Sequence, residues 1–107
     1  MVKKMKNISI NKLKDFIGKE VQLNGWIYNL RSVGKIWFAI VRDGTGFVQC
    51  VVTSNDVSSD VFELESSLTQ ESSLTVFGKI VENPRAVGGY ELLLSQLTQN
   101  LLHQKNL

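Results

Sequence analysis

Hydrophobic residues recur at every second position in five short runs of this sequence, and this alternation is the feature that most restricts its fold. The first run sets Val21, Leu23 and Ile27 between polar residues, which is the pattern of a strand with one buried face. Four more runs begin near residues 36, 47, 74 and 90, and glycine occurs in three of the four segments between runs, as is usual for turns. The sequence therefore predicts a domain built mainly from β-strands.

Two segments show helical spacing instead, and the first lies near the start of the chain. Ile10, Leu13 and Ile17 fall on one helical face. Ser9 is the expected N-cap of this helix, and Gly18 suits the left-handed position that follows its last turn. A short N-terminal helix over residues 9–17 is therefore expected.

The second amphipathic helix is expected between the third and fourth strands, with Ser54 and Asn55 as candidate N-caps. Its apolar stripe consists of Val57, Val61, Leu64 and Leu68. Short helix, three strands, helix and two strands is the element order of the OB-fold, a five-stranded Greek-key barrel of the all-β class with added helices. Gly25 suits a bulge or the sharp bend that closing so few strands requires. The competing architecture is an open α+β sheet with the helix packed on one face.

Length and composition are those of one ordinary globular domain. The chain has 107 residues, 43% of them hydrophobic and only one of them proline, which excludes disordered and low-complexity architectures. We expect a single domain over residues 1–107, with a core from about 8 to 97, a basic arm at 1–7 and a tail at 98–107. The longest apolar run, residues 36–41, is far too short to span a membrane, and the start resembles no secretory signal. A cytoplasmic protein without a membrane segment is expected.

The charges are distributed unevenly along the chain. Six lysines lie within residues 1–20, whereas residues 54–73 hold five acidic residues and no Lys or Arg. This distribution is compatible with a polyanionic partner that approaches from one side. It is equally compatible with a solvated lysine tail that keeps the protein in solution.

The sequence lacks the usual constellations of catalytic or metal-binding residues. His103 is the single histidine, and Cys50 is the single cysteine, so neither a disulfide within the chain nor a zinc motif is available. No phosphate-binding glycine motif is present. Cys50 alternates with Gln49 and Val51 in an apolar strand and is expected in the core. The residues predict a binding module with no catalytic site and no metal.

The first three predicted strands carry most of the aromatic side chains. Five of the nine aromatic residues lie there: Trp26, Tyr28, Trp37, Phe38 and Phe47. Arg31, Lys35 and Arg42 lie among them, and aromatic faces beside cationic groups suit unstacked bases with their phosphates. We expect Trp26 and Trp37 in the core, whereas the alternation of the second strand places Phe38 and Arg42 on the outer face.

Several of these segments together resemble a known family. Residues 25–31 (GWIYNLR), 34–38 (GKIWF) and 41–50 (VRDGTGFVQC) are similar to the N-terminal anticodon-binding domain of class IIb aminoacyl-tRNA synthetases. Residues 74–81 (LTVFGKIV) resemble the fourth strand of that domain, and residues 82–92 (ENPRAVGGYEL) resemble its asparaginyl and archaeal-type aspartyl branch. The resemblance covers roughly residues 8–97 and implies an OB-fold that binds the anticodon loop of tRNA.

The resemblance also implies roles for four side chains. Phe38 matches an aromatic residue that stacks on the central anticodon uridine, and Gln49 matches a glutamine that reads the edge of that uridine. Arg31 matches an arginine that contacts the same nucleotide or its backbone. Glu91 matches a glutamate that contacts the first anticodon base, usually guanine. The chemistry agrees, because an amide presents the donor and acceptor that uracil requires and a carboxylate accepts from the N1 and N2 hydrogens of guanine.

The resemblance places any ligase reaction outside this chain. The catalytic domain of the family binds ATP, magnesium and the amino acid, and its signature motifs are absent from the sequence, so no cofactor is expected here. The chain is then either the N-terminal domain of an asparaginyl or aspartyl enzyme, whose family is dimeric, or a stand-alone paralogue.

Two other functions remain open at this point. One is a free-standing OB protein that binds single-stranded DNA or RNA without codon-level specificity. The other is an interaction module that docks a protein through the apolar patch Ile36, Phe38 and Ile40. Gln49 and Glu91 discriminate among these functions, because neither alternative gives a reason for one residue to match uracil and the other guanine.

Overall fold

The strands of this domain close into a barrel. The computed structural model describes residues 6–100. Its strands are β1 (Lys6–Asn7), β2 (Glu20–Val33), β3 (Ile36–Arg42), β4 (Phe47–Thr53), β5 (Ser73–Glu82) and β6 (Tyr90–Gln99). The α-helix α1 (Ser59–Phe62) is followed by a 3-10 helix (Glu63–Ser66), and two further 3-10 helices cover Ile10–Phe16 and Val87–Gly89.

Strand pairing gives the order β2-β3-β4-β6-β5, and β5 pairs back onto β2. All of these pairs are antiparallel except β4 with β6. This closed five-stranded barrel confirms the expected OB-fold, and the open α+β sheet was the wrong alternative. The two-residue strand β1 was not expected from the sequence. It lies parallel to β2, where Lys6 pairs with Val21.

Alternation along each strand separates the core from the surface. On β3, Trp37, Ala39 and Val41 are buried, whereas the intervening residues on the outer face are only partly buried. The outer set is the one expected from the sequence: Ile36, Phe38, Ile40 and Arg42. Each buried side chain removes apolar surface from water, so the inward set holds the barrel together while the outward set lies at the surface of the sheet.

Gly25 lies where β2 changes its partner. Residues before it pair with β5, and Trp26 pairs with both Ser73 on β5 and Arg42 on β3. A Cβ atom at Gly25 would lie 2.5 Å from the carbonyl oxygen of Arg42, which no side chain tolerates. Gly25 therefore permits the close strand approach that the barrel needs. The register shift itself comes later, between Ile27 and Asn29.

The N-terminal 3-10 helix is fastened by the β3–β4 turn and not by its expected cap. Ser9 makes no side-chain capping bond. Instead, the Ile10 N–H donates to Asp43 Oδ2 at 2.9 Å, and the Thr45 N–H and hydroxyl donate to Asp43 Oδ1 at 2.8 and 2.6 Å. Burial raises the pKa of the Asp43 carboxyl, but these hydrogen bonds outweigh burial and hold the pKa below its ordinary value.

Replacing Asp43 by alanine is expected to reduce the free energy of unfolding by about 1 kcal/mol at neutral pH, as loss of a helix cap does. Because the folded-state pKa is lowered, this stabilisation is present above the ordinary aspartate pKa and is lost as pH falls through the folded-state value. Denaturant unfolding at several pH values measures the difference. The exposed Asp15 gives the control variant Asp15→Ala, and equal losses in both variants would contradict the capping role.

Element boundaries differ from the sequence prediction at the end of β2 and at the start of the second helix. The sequence predicts a turn over residues 31–35, but residues 31–33 belong to β2. Gly34 adopts a φ of 61° and allows a two-residue turn in which Val33 pairs with Ile36. The second helix begins at Ser59 with Ser58 as its N-cap, later than the expected Ser54 or Asn55. Residues 53–56 form a turn there, in which the Asp56 N–H donates to the Thr53 carbonyl.

The expected basic arm at residues 1–7 and tail at 98–107 are covered only in part. Residues 1–5 and 101–107, including His103, lie outside the described part of the chain. Thr98 and Gln99 continue β6 beyond its expected end at Leu97. Within residues 6–100, no helix is long and apolar enough to cross a membrane.

Candidate nucleic-acid interface

The outward residues of four adjacent strands form one continuous surface, which we call the outer face. The pairing registers align them in rows across β2, β3, β4 and β6. One row is Arg31, Phe38, Val51 and Leu93. The next row is Asn29, Ile40, Gln49 and Glu91. The four side chains that the resemblance singled out thus lie in two adjacent rows. Arg31 is beside Phe38 in one row, and Gln49 is beside Glu91 in the next.

Phe38 is partly exposed on β3, and its ring points away from the core. The guanidinium carbon of Arg31 lies 4.5 Å from the centre of this ring, at cation–π distance. Asn29, Leu30, Ile40 and Gln49 join these two side chains around a shallow depression. The depression therefore combines an aromatic ring, a guanidinium group and two amides on a rigid sheet surface.

Gln49 and Glu91 are joined directly. They are register partners across the parallel pair β4 and β6, and Gln49 Nε2 donates to Glu91 Oε2 at 2.7 Å. Both side chains are partly buried. Their contact brings a carboxylate and an amide next to the Phe38 depression, at positions 42 residues apart in the chain.

The other two sequence candidates lie away from this group. Lys35 is exposed in the β2–β3 turn. Arg42 lies at the opposite end of β3, where Nη2 is 2.5 Å from Glu71 Oε1 and the guanidinium carbon is 5.5 Å from the centre of the Trp26 ring. Arg31, Phe38, Gln49 and Glu91 therefore form one cluster, which Lys35 and Arg42 flank at the two ends of β3.

The expectation that Trp26 fills the core was wrong. Its side chain is 42% exposed on the outer face, whereas Trp37 is 1% exposed, as expected. Tyr28 and Phe47 are also exposed, and their rings meet edge to face with centres 5.0 Å apart. The alternation of the strand could have predicted this exposure, because Trp26 is out of phase with the buried Leu23 and Ile27. The outer face thus has a second aromatic cluster around Arg42.

Cys50 is fully buried on β4, as the sequence predicted. Burial raises the pKa of its thiol to about 12, so the thiol stays protonated at neutral pH and is a packing residue. Within residues 6–100, no three His, Cys, Asp or Glu side chains form a group that could hold a metal ion. The chemistry on the outer face is stacking, hydrogen bonding and charge.

Comparison with known proteins relates this chain to nucleic-acid-binding domains. A family model described as an OB-fold nucleic acid binding domain, named for the tRNA anticodon, matches residues 21–99. The asparagine–tRNA ligase of Pelotomaculum thermopropionicum is 48% identical over 93 residues, which is 87% of this chain and 22% of that protein. The chain therefore spans about a fifth of the length of this relative.

Solved structures agree on the fold. The asparaginyl-tRNA synthetase of Pyrococcus horikoshii, solved with asparaginyl-adenylate, matches with a TM-score of 0.80 and 37% identity over 92% of this chain and 22% of that one. The aspartyl-tRNA synthetase of Entamoeba histolytica matches with a TM-score of 0.78 over 89% of this chain and 21% of that one. At 18% identity, this second match shows the fold alone.

Proposed function

Because the chain belongs to the tRNA anticodon-binding family of OB-fold nucleic acid binding domains, we propose that it binds the anticodon loop of tRNA as the N-terminal domain of an asparaginyl-tRNA synthetase. The observation that carries this proposal is the cluster of Arg31, Phe38, Gln49 and Glu91 on one surface. The relatives that support the asparagine assignment are 43–48% identical to the chain.

We assign the central anticodon base to the Phe38 ring. Bases unstacked in a loop regain stacking energy on an aromatic side chain, and Phe38 offers its ring at the surface of β3. The guanidinium of Arg31 covers one side of the ring and can also meet the phosphate that follows the base. The Gln49 amide borders the same depression, where it reads the edge of the stacked base.

We assign the first anticodon base to Glu91. An ionised carboxylate only accepts hydrogen bonds, and guanine presents two adjacent donors, N1–H and N2–H. Glu91 lies next to Gln49 on the neighbouring strand, so consecutive bases of one strand of RNA meet consecutive side chains. Lys35 and Arg42 flank this cluster and attract the phosphates on either side, Arg42 after release from Glu71.

The remaining parts of the proposal concern the longer protein. The relatives are ligases about five times longer than the matched segment, and we assign ATP, magnesium and the ligase reaction to the part outside this chain. A homodimeric, cytoplasmic parent enzyme fits the same proposal.

Binding to anticodon stem-loops tests the function. We expect a stem-loop with the anticodon GUU to bind more tightly than an otherwise identical loop with an unrelated triplet, by about tenfold or more, since each wrong base costs a stacking or hydrogen-bonding partner. Fluorescence anisotropy at low, fixed ionic strength measures both dissociation constants. A GUC loop separates asparagine from aspartate specificity at the third base.

The possible outcomes separate the candidate functions. Preference for GUU over GUC supports the asparaginyl assignment. If these two loops bind equally and the unrelated loop binds weakly, the chain recognises only the G and U that both anticodons share. Equal affinity for all three loops would overturn anticodon recognition. That result would favour sequence-independent binding of single strands through the exposed Trp26, Tyr28 and Phe47.

A further inference from the structure

The hydrogen bond between Gln49 and Glu91 fixes which end of the Gln49 amide faces which way. Glu91 Oε2 lies 2.7 Å from Gln49 Nε2. An ionised carboxylate has no hydrogen to donate, so only the NH₂ end of the amide can face it. The Gln49 carbonyl oxygen is thereby directed away from Glu91. Because both residues are partly buried on paired strands, water replaces this charge-assisted bond poorly.

We propose that Glu91 is a positioning residue that makes the site select uracil over cytosine at the central anticodon position by locking the Gln49 amide in one orientation. This inference rests on the proposed function, because it assumes that Gln49 reads the base stacked on Phe38. It adds a second role to Glu91, which the proposed function assigns only to the first base.

The reason lies in the edges of the two pyrimidines. Uracil presents a donor at N3 and an acceptor at O4, whereas cytosine presents an acceptor at N3 and a donor at its N4 amino group. A glutamine amide can match either base, because half a turn about its last bond exchanges oxygen and nitrogen. A freely turning amide would therefore discriminate poorly. An amide held with its NH₂ end toward Glu91 offers one pattern only.

Glu91 has the capacity for both roles at once. A carboxylate accepts through two oxygens with about four lone-pair positions, and the bond to Gln49 uses Oε2. Oε1 therefore stays available to the first base while Oε2 holds the amide. Nε2 of Gln49 has a second hydrogen, which points toward the bound base. Recognition of the first base by Glu91 and of the central base by Gln49 is consequently coupled through one hydrogen bond.

Substitutions at Glu91 test the lock by changing its hydrogen-bonding character. In Glu91→Gln the neighbouring amide can either donate or accept, so both orientations of Gln49 become available. In Glu91→Lys the neighbour can only donate, so the Gln49 oxygen turns toward it and the pattern at the base is reversed. The measured quantity is the ratio of dissociation constants for a GCU and a GUU stem-loop. Both loops keep the same first base, so its lost contact cancels in the ratio.

We expect the wild-type chain to favour the uracil loop and Glu91→Gln to lower that preference about tenfold, which is the effect of losing one charge-assisted hydrogen bond. Glu91→Lys is expected to favour the cytosine loop. Glu63→Gln removes the same charge at an exposed position on the segment between β4 and β5 and should leave the ratio unchanged. Thermal unfolding checks that each variant is folded.

The results distinguish this inference from the function on which it rests. A wild-type chain that binds both loops and an unrelated loop alike overturns both. A wild-type chain that prefers uracil, together with a Glu91→Gln variant that keeps the full preference, overturns the lock alone. In the free protein, the Gln49 side-chain NH₂ signals in a nitrogen–proton NMR spectrum give an independent measure. The lock requires these signals to change in Glu91→Gln but not in Glu63→Gln, and unchanged signals overturn it.

Discussion

Alanine in place of Phe38 is expected to weaken binding of the GUU stem-loop by about tenfold or more. A base stacked on an aromatic side chain contributes about 1–3 kcal/mol to binding. Among residues 6–100, no other aromatic side chain borders the depression in which Gln49 and Arg31 lie. The ring is on the outer face of β3 and only partly buried, so its removal costs little folding free energy. Anisotropy titrations of the variant and the parent chain measure the change.

Phe77 provides the matched control for this experiment. It is a partly buried phenylalanine on the outward side of β5, where it pairs with Gln22 and Gln96 and lies outside the proposed surface. Phe77→Ala is expected to leave the affinity within about twofold, because it removes no base contact. If Phe38→Ala binds the stem-loop as tightly as Phe77→Ala, Phe38 does not stack on the RNA.

Alanine in place of Trp37 is expected to lower the free energy of unfolding by about 3–5 kcal/mol, the usual cost of deleting a large buried ring. Trp37 is 1% exposed and belongs to the hydrophobic core. Its indole Nε1 donates to the carbonyl oxygen of Phe62 at 2.9 Å, and this bond ties α1 to β3. A loss of this size approaches the whole stability of a small domain, so denaturant midpoints or the fraction folded at room temperature reveal it.

The variant Trp37→Phe separates the ring from the hydrogen bond. It keeps most of the apolar volume but leaves the Phe62 carbonyl without its indole donor, so we expect a smaller loss of about 1–3 kcal/mol. If Trp37→Ala unfolds no more easily than Trp37→Phe, the ring is not central to the core. Because the indole points inward, folded Trp37→Phe should keep the base preference of the parent chain.

Alternation in the sequence was sufficient to predict which side of each strand faces the core. It placed Trp37 inside and Phe38 outside, and both placements are confirmed. The expectation that Trp26 is buried was wrong. It was based on the large apolar ring, whereas Trp26 is out of phase with the buried Leu23 and Ile27. Local periodicity is therefore a better guide than side-chain type in a strand with one buried face.

Contacts that depend on barrel closure could not be predicted from local pattern. The Arg42–Glu71 ion pair joins a strand to a turn 29 residues away. Glu71 adopts a φ of 70°, and a glutamate in the sequence gives no reason to expect this backbone conformation. The pairing of β4 with β6 depends on the register of two parallel strands. The sequence resemblance selected Gln49 and Glu91 separately, and only the closed barrel shows that they touch.

Strand alternation also separates the positions that control folding from those of the proposed RNA-binding surface. Side chains that form the core of the barrel and side chains of the proposed RNA-binding surface occupy neighbouring positions on the same strands, yet they project to opposite sides. Substitutions on the two sides should therefore add nearly independently. Under the proposed function, we expect a few outward replacements to change the triplet preference while the interior and the backbone stay as they are.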